Sequence, residues 1–206
     1  MPGEFTETIR PTVPPVLGGR VLPATVPPAL RVVFWIVSIS LALFVFGAFL
    51  LPGKVRVERE IVIKALPAQV LARLESLKQW EAWGPWFQRD PFMKKDFSGP
   101  DYGVGAMLAW KSKNDGEGKV KIVSVMPSGT VRAAVDFGEN GEADISFFVT
   151  ETTFLATRVK LRFETDFGTN MARRYFGLLL PKVIGKDLDE GLANLKQLLE
   201  KPAAAP

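Results

Sequence analysis

A chain of 206 residues is long enough for one domain with an appendage. Its 26 Lys and Arg against 22 Asp and Glu leave a formal net charge of only +4, and no basic block or aromatic-basic interleaving marks a nucleic-acid surface. With neither Cys nor His, the chain has no disulfides, thiol nucleophiles, imidazole bases or ordinary transition-metal sites, and neither a metal nor a cofactor is expected. The lack of Cys does not fix the compartment, since such domains are tolerated on either side of a membrane.

Residues 1–29 are rich in proline (Pro2, Pro11, Pro14, Pro15, Pro23, Pro27, Pro28) and show little apolar periodicity. Proline removes donors and restricts its neighbours, so an extended or disordered tail is expected, with a docking peptide as the alternative. Residues 30–52 read as a transmembrane helix. From Val32 to Leu51 there are twenty residues without a charge, fourteen of them Leu, Ile, Val or Phe. As a helix this run is roughly 30 Å long, the thickness of a bilayer core. Its apolar residues favour insertion by about 0.3–0.6 kcal/mol each, against small costs for Ser38, Ser40 and Gly47. Pro52 and Gly53 stop it. A cleaved signal peptide fits less well, because the run is too long and no small-residue cleavage site follows. Arg20 and Arg31 precede the span, whereas Lys54, Arg56, Arg59 and Lys64 follow it, so the positive-inside rule leans toward a cytoplasmic domain.

Residues 54–201 form the soluble domain, and residues 202–206 are expected to be a disordered end. Val55 to Ala65 reads as a strand, with Val57, Ile61 and Ile63 alternating against Arg56, Glu60 and Lys64. Pro67 suits the first turn of a helix with Val70, Leu71, Leu74 and Leu77 on its apolar face. Trp80, Trp83, Trp86 and Phe87 form an aromatic cluster broken by Gly84-Pro85. It is either a lid or membrane-contacting edge, or simply the packing of two short helices on the sheet end. From Met93 onward the pattern is β: Asp96 to Ser98, Val104 to Lys111, Lys119 to Met126, Val131 to Phe137, Ile145 to Val149, and the clean alternation Val159, Leu161, Phe163. Short turns such as Asn114 to Gly118 demand antiparallel neighbours.

The last helix is expected from Phe176 to Leu199, with an apolar stripe at Phe176, Leu179/Leu180, Val183/Ile184, Leu188, Leu192, Leu195 and Leu198/Leu199. Pro181 inside it implies a kink, which could gate a cavity, or a helix that simply starts there. The fold class is therefore α+β: strand, two short helices, about six antiparallel strands, and a long helix lying in the curve of the sheet, behind one transmembrane helix.

The inward faces offer Leu108, Trp110, Val135, Phe137, Phe147, Leu161, Phe163, Phe176, Leu180 and Ile184. These side chains either fill the interior or line a ligand cavity. The acid/base candidates are Asp136, Asp144, Glu164, Asp166, Tyr102, Tyr175 and Arg158. Four of them (Asp136, Asp144, Arg158 and Glu164) fall on the phase opposite the core, where solvent exposure is the default. Gly103, Gly105, Gly116 and Gly118 sit in hairpin turns and form no phosphate loop.

An ordered set of residues resembles a known group. It comprises Val57 to Ile63 before Pro67, Trp80-x-x-Trp83-x-Pro85-Trp86, Asp90-Pro91, Ser98-Gly99-Pro100, Gly103-Val-Gly105, Trp110, Gly116-Glu-Gly118-Lys119, Thr157-Arg158-Val159, and Ile184 to Asp187 through Gly191-Leu192 to Leu195-Lys196. The chain from Val55 to Lys201 is similar to the START-like (SRPBCC) superfamily, in its polyketide cyclase/dehydrase branch, with the helix-grip fold. That resemblance implies a hydrophobic cavity between sheet and C-terminal helix, and it does not imply an enzyme. The expected function is membrane-anchored binding, without turnover, of a hydrophobic small molecule such as a lipid or isoprenoid. The alternatives are a cyclase or dehydrase and an interaction module with a filled core. The expected partners are that ligand and the membrane, with no nucleic acid.

Overall fold

The computed structural model describes residues 27–113, 116–153 and 155–201. The proline-rich segment before residue 27, residues 114 and 115 of the hairpin loop, residue 154, and residues 202–206 lie outside the described residues. The chain divides into two compact units, Met1–Ala42 and Leu43–Pro206. In the first, helix α1 (Pro28–Leu50) begins, and its last two turns belong to the second unit. Ala48 is the only buried residue of α1, and apolar side chains project all round it, so α1 is long and apolar enough to cross a membrane.

In the second unit, β1 (Lys54–Ile63) leads into three short helices, α2 (Pro67–Leu74), α3 (Leu77–Trp80) and α4 (Pro85–Arg89). The sequence pattern suggests two helices there. Gly84 and Pro85 add the third by ending one segment and starting the next, with Pro85 at the first helical position where a missing N–H costs nothing. Strands β2 (Lys94–Ser98), β3 (Met107–Lys111), β4 (Glu117–Met126), β5 (Thr130–Asp136), β6 (Glu142–Thr153) and β7 (Ala156–Asp166) follow. Val104 to Ala106, expected as part of a strand, lies in the turn before β3. The seven strands make one antiparallel sheet in the order β1-β7-β6-β5-β4-β3-β2. The first strand thus closes against the last, a long-range pairing that no hairpin turn imposes.

The period-2 alternation sets one face of the sheet inward. Val57, Ile63, Ile122, Val131, Ala133, Phe147, Val159 and Leu161 are all buried. Thr157, with no exposed surface, donates its hydroxyl to the carbonyl of Ala65 at 2.6 Å, which ties β7 to the chain just before α2. The C-terminal segment is two helices, α5 (Met171–Gly177) and α6 (Leu180–Glu200), in place of the single helix from Phe176. Pro181 falls in the first turn of α6, where its lost donor is harmless, so the chain breaks before it and no kink is needed. Buried Leu180, Leu188, Leu192 and Leu195 face the sheet, and α6 packs along β1 and against α4. Phe176, Leu179 and Val183, expected on the buried stripe, are exposed instead.

Candidate functional site

Between α4, the first turns of α6 and the inner face of β3–β7 lies a cavity of about 240 Å³. Six aromatic side chains line it: Trp80, Trp86, Phe87, Trp110, Phe137 and Phe163. Leu108, Val120, Val135 and Ile145 form its floor on adjacent strands, where Val120 pairs with Leu108 on one side and Val135 on the other. The cavity exists because the wall residues are bulky and rigid and brace one another. Trp110 meets Phe137 edge-on at 5.9 Å, and Trp80 meets Phe147 edge-on at 5.6 Å while donating its indole N–H to the carbonyl of Leu74. Trp110 lies opposite Gly118 across β3 and β4. A Cβ on Gly118 would stand 2.5 Å from both the Trp110 ring and the Asp136 carbonyl oxygen, so glycine leaves room for the indole and for the close approach of β5.

One end of the cavity is polar. Asp187 of α6, only 8% exposed, accepts two hydrogen bonds from Arg89, Nη1 to Oδ1 at 2.8 Å and Nη2 to Oδ2 at 3.1 Å. Trp86 donates its indole N–H to the same Oδ2 at 3.2 Å. A buried carboxylate needs such partners, and the paired fork of Arg89 supplies them with fixed geometry. The turn after α4 is held by Asp90. Its carboxylate accepts the backbone N–H of Phe92 at 3.0 Å and the hydroxyl of Ser112 at 2.6 Å. Asp90 thereby anchors α4 to the end of β3 and positions Arg89 as it leaves the helix. The result is a greasy, aromatic chamber whose polar wall carries one internally compensated ion pair.

Of the ten residues singled out from the sequence as cavity lining, Leu108, Trp110, Val135, Phe137, Phe163 and Ile184 stand on this wall. Phe147, Leu161 and Leu180 pack into the core, and Phe176 is half exposed on α5. Of the tryptophan cluster, Trp80 and Trp83 are packed and only Trp86 keeps partial exposure at the polar end. The sequence analysis did not single out Arg89, and it named Asp187 only within the resemblance, as neither a cavity nor an acid/base candidate. Asp187 did leave a signal: it falls three residues after Ile184 and four before Gly191, a carboxylate in the middle of the buried stripe of α6.

None of the seven acid/base candidates lies on the cavity wall. Asp136 bonds Lys119 across β4 and β5 at 3.1 Å, and its carboxyl is held below its ordinary value by the Gly138 N–H and by that lysine. Glu164 pairs with Arg56, Asp166 pairs with Lys54, and Asp144, Arg158 and Tyr102 are exposed. A larger hollow of about 880 Å³ is bounded by Lys54, Arg56, Lys119, Asp136, Glu164 and Asp166, solvated ion pairs that offer no enclosed apolar space. Among the described residues no cluster of carboxylates could hold a metal ion.

The profile of the family described as polyketide cyclase/dehydrase and lipid transport matches residues 54–200. The chain belongs to that family. The chain shares its fold with solved proteins of low sequence identity. Norcoclaurine synthase from Thalictrum flavum superposes with a TM-score of 0.56 at 15% identity, covering 73% of this chain and 96% of that one. Its complex with dopamine and hydroxybenzaldehyde gives 0.52 at 15% identity, over 73% and 89%. The KanY protein gives 0.54 at 21% identity, over 72% and 99%. At these identities the likeness shows the helix-grip fold alone. No curated protein matches the sequence.

Proposed function

We propose that this protein binds a hydrophobic small molecule, a lipid, isoprenoid or similar compound, in the chamber between α4, α6 and the sheet, and that α1 anchors it in a membrane by a single span. The observation that carries this reading is the concave aromatic wall with the Arg89–Asp187 ion pair at its polar end. An apolar guest gains by leaving water, and a few placed polar groups orient it. The volume of about 240 Å³ lies between the roughly 150 Å³ of an apolar cavity that takes benzene and the roughly 300 Å³ at which drug-sized pockets begin. It suits one compact moiety, a ring or a prenyl-sized group, with the rest of a longer guest outside.

Tethering fits such a guest, because a ligand confined to the bilayer meets a pocket on a short leash at high effective concentration. Only Leu51, Pro52 and Gly53 separate α1 from β1. The excess of Lys and Arg after the span favours a cytoplasmic side for the domain in this reading. Arg89 and Asp187 engage each other, an arrangement suited to a fixed polar end more than to proton transfer.

Three tryptophans on the wall make the test direct. Titration of the full chain with an apolar fluorescence acceptor should quench Trp80, Trp86 and Trp110 saturably, and a natural ligand should displace it. Quenching that rises linearly without saturation would overturn the reading. A second reading, a cyclase or dehydrase, is favoured by the single buried carboxylate on the wall. It requires Asp187→Asn to abolish turnover of a polyketide-like substrate while the fold survives.

A further inference from the structure

The junction of α5 and α6 leaves four large apolar side chains in solvent: Phe176 (52% exposed), Leu178 (59%), Leu179 (60%) and Val183 (54%). Scattered apolar residues on a surface need no explanation, but four within eight positions do. The stretch of chain that carries them has charges of one sign. From Met171 to Lys186 the chain has four cations, Arg173, Arg174, Lys182 and Lys186, and no carboxylate. The next acid, Asp187, is turned inward onto Arg89. Arg173 donates to the Glu139 carbonyl and Arg174 to the end of α1, which leaves Lys182 and Lys186 beside the exposed Phe and Leu, a composition that suits a segment lying in a lipid headgroup layer.

A second, independent observation comes from the last turns of α1, within the same unit. Tyr175 stacks on Phe44 with ring centroids 4.5 Å apart and donates its hydroxyl to the Phe44 carbonyl at 2.7 Å. Arg174 donates to the carbonyls of Ala48 at 3.2 Å and Leu51 at 3.4 Å, so a cation sits at the negative end of that helix. Gly47 permits the approach, since a Cβ there would stand 2.5 Å from the Tyr175 hydroxyl. The bare apolar corner therefore adjoins the stretch where the apolar segment of the chain ends.

We propose that the α5–α6 corner docks on an anionic lipid surface, with Phe176, Leu178, Leu179 and Val183 entering the acyl boundary and Lys182 and Lys186 meeting headgroup phosphates. The same turns of α6 carry Ile184 and Asp187 on the cavity wall, so docking brings that wall to the source of an apolar guest. The contact is separate from the membrane span and from occupancy of the cavity, and each can fail without the other.

The chain has no cysteine, so single labelling sites can be introduced cleanly. The full chain carrying Val183→Cys with an environment-sensitive fluorophore is reconstituted into phosphatidylcholine vesicles with or without about 30 mol % phosphatidylglycerol. Glu151→Cys serves as control. It is exposed at the far end of the sheet, where Glu151 pairs with Thr157 while α5 follows the end that holds Asp166 and Lys54. The expected result is a blue-shifted label at position 183, quenched at least twofold more by doxyl lipid than the control, only in the anionic vesicles. Adding Lys182→Gln and Lys186→Gln should lower that quenching. Equal access of aqueous iodide to both labels would overturn the proposal. So would equal quenching in neutral vesicles, or a blue shift in detergent that vanishes on dilution, which would assign the corner to a second copy of the chain. Carbonate extraction of the same vesicles reports the span on its own, so loss of the anchor and loss of the docked corner are distinguishable.

Discussion

Enlarging a wall residue distinguishes a real chamber from a filled core by the sign of its effect. Val120 is central on the cavity floor, 5% exposed, between Leu108 and Val135. Empty space costs about 24 cal/mol per Å³ of lost packing, so leaving 240 Å³ unfilled forgoes an upper limit of about 6 kcal/mol. Val120→Phe adds about 50 Å³ of side chain, which recovers about 1 kcal/mol if the ring enters the cavity. In a domain of this size that raises the melting temperature by about 2–4 °C. If the interior were already packed, the same ring would be forced off its rotamer and would cost about 1–3 kcal/mol, lowering the melt instead. The assay is thermal unfolding of the full chain in lipid nanodiscs, paired with the tryptophan-quenching titration. The expected result is an unchanged or higher melt together with loss of saturable quenching. A melt lowered by several degrees would refute the chamber.

Three further outcomes follow from particular contacts. Asp187→Asn removes the charge that faces Arg89 and should lower stability by about 1–2 kcal/mol, less than a fully buried pair would cost because Arg89 keeps 42% of its side chain exposed; chemical denaturation midpoints measure it. Gly118→Val would press its Cβ on both the Trp110 ring and the Asp136 backbone carbonyl, and should red-shift the tryptophan emission, weaken ligand binding and lower the denaturation midpoint. Glu58, hydrogen-bonded by Arg162, and Asp136, bonded by the Gly138 N–H and Lys119, both have carboxyls held below their ordinary values of 4.5 and 3.8. Folding therefore gains from them above those values and loses that gain as pH falls through the depressed ones, so denaturation midpoints should fall between pH 5 and pH 3 and hold steady between pH 5 and pH 7.

The inward faces were legible where alternation survives, as in β5 and β7. Val159, Leu161 and Phe163 point in and Arg158, Lys160 and Arg162 point out, as they do in the sheet. The pairing of β1 with β7 leaves no local signal, because no hairpin turn joins the two strands and β2 to β6 lie between them in the chain. The break before Pro181 was undecidable from the pattern, since Phe176, Leu179 and Val183 keep helical spacing with the buried leucines although the chain turns between them. That mistaken stripe also placed Phe176 on the cavity wall. The polar end stayed hidden because Arg89 and Asp187 are 98 residues apart and meet only through the packing of α4 on α6.

The central claim is that the chamber holds an apolar guest, and native mass spectrometry of the full chain, released from micelles and followed by organic extraction, tests it most directly. A stoichiometric adduct, identified in the extract as a lipid, isoprenoid or related compound and absent from Val120→Phe, is the predicted result. A clean apo mass that takes up nothing from a lipid and isoprenoid mixture would contradict it.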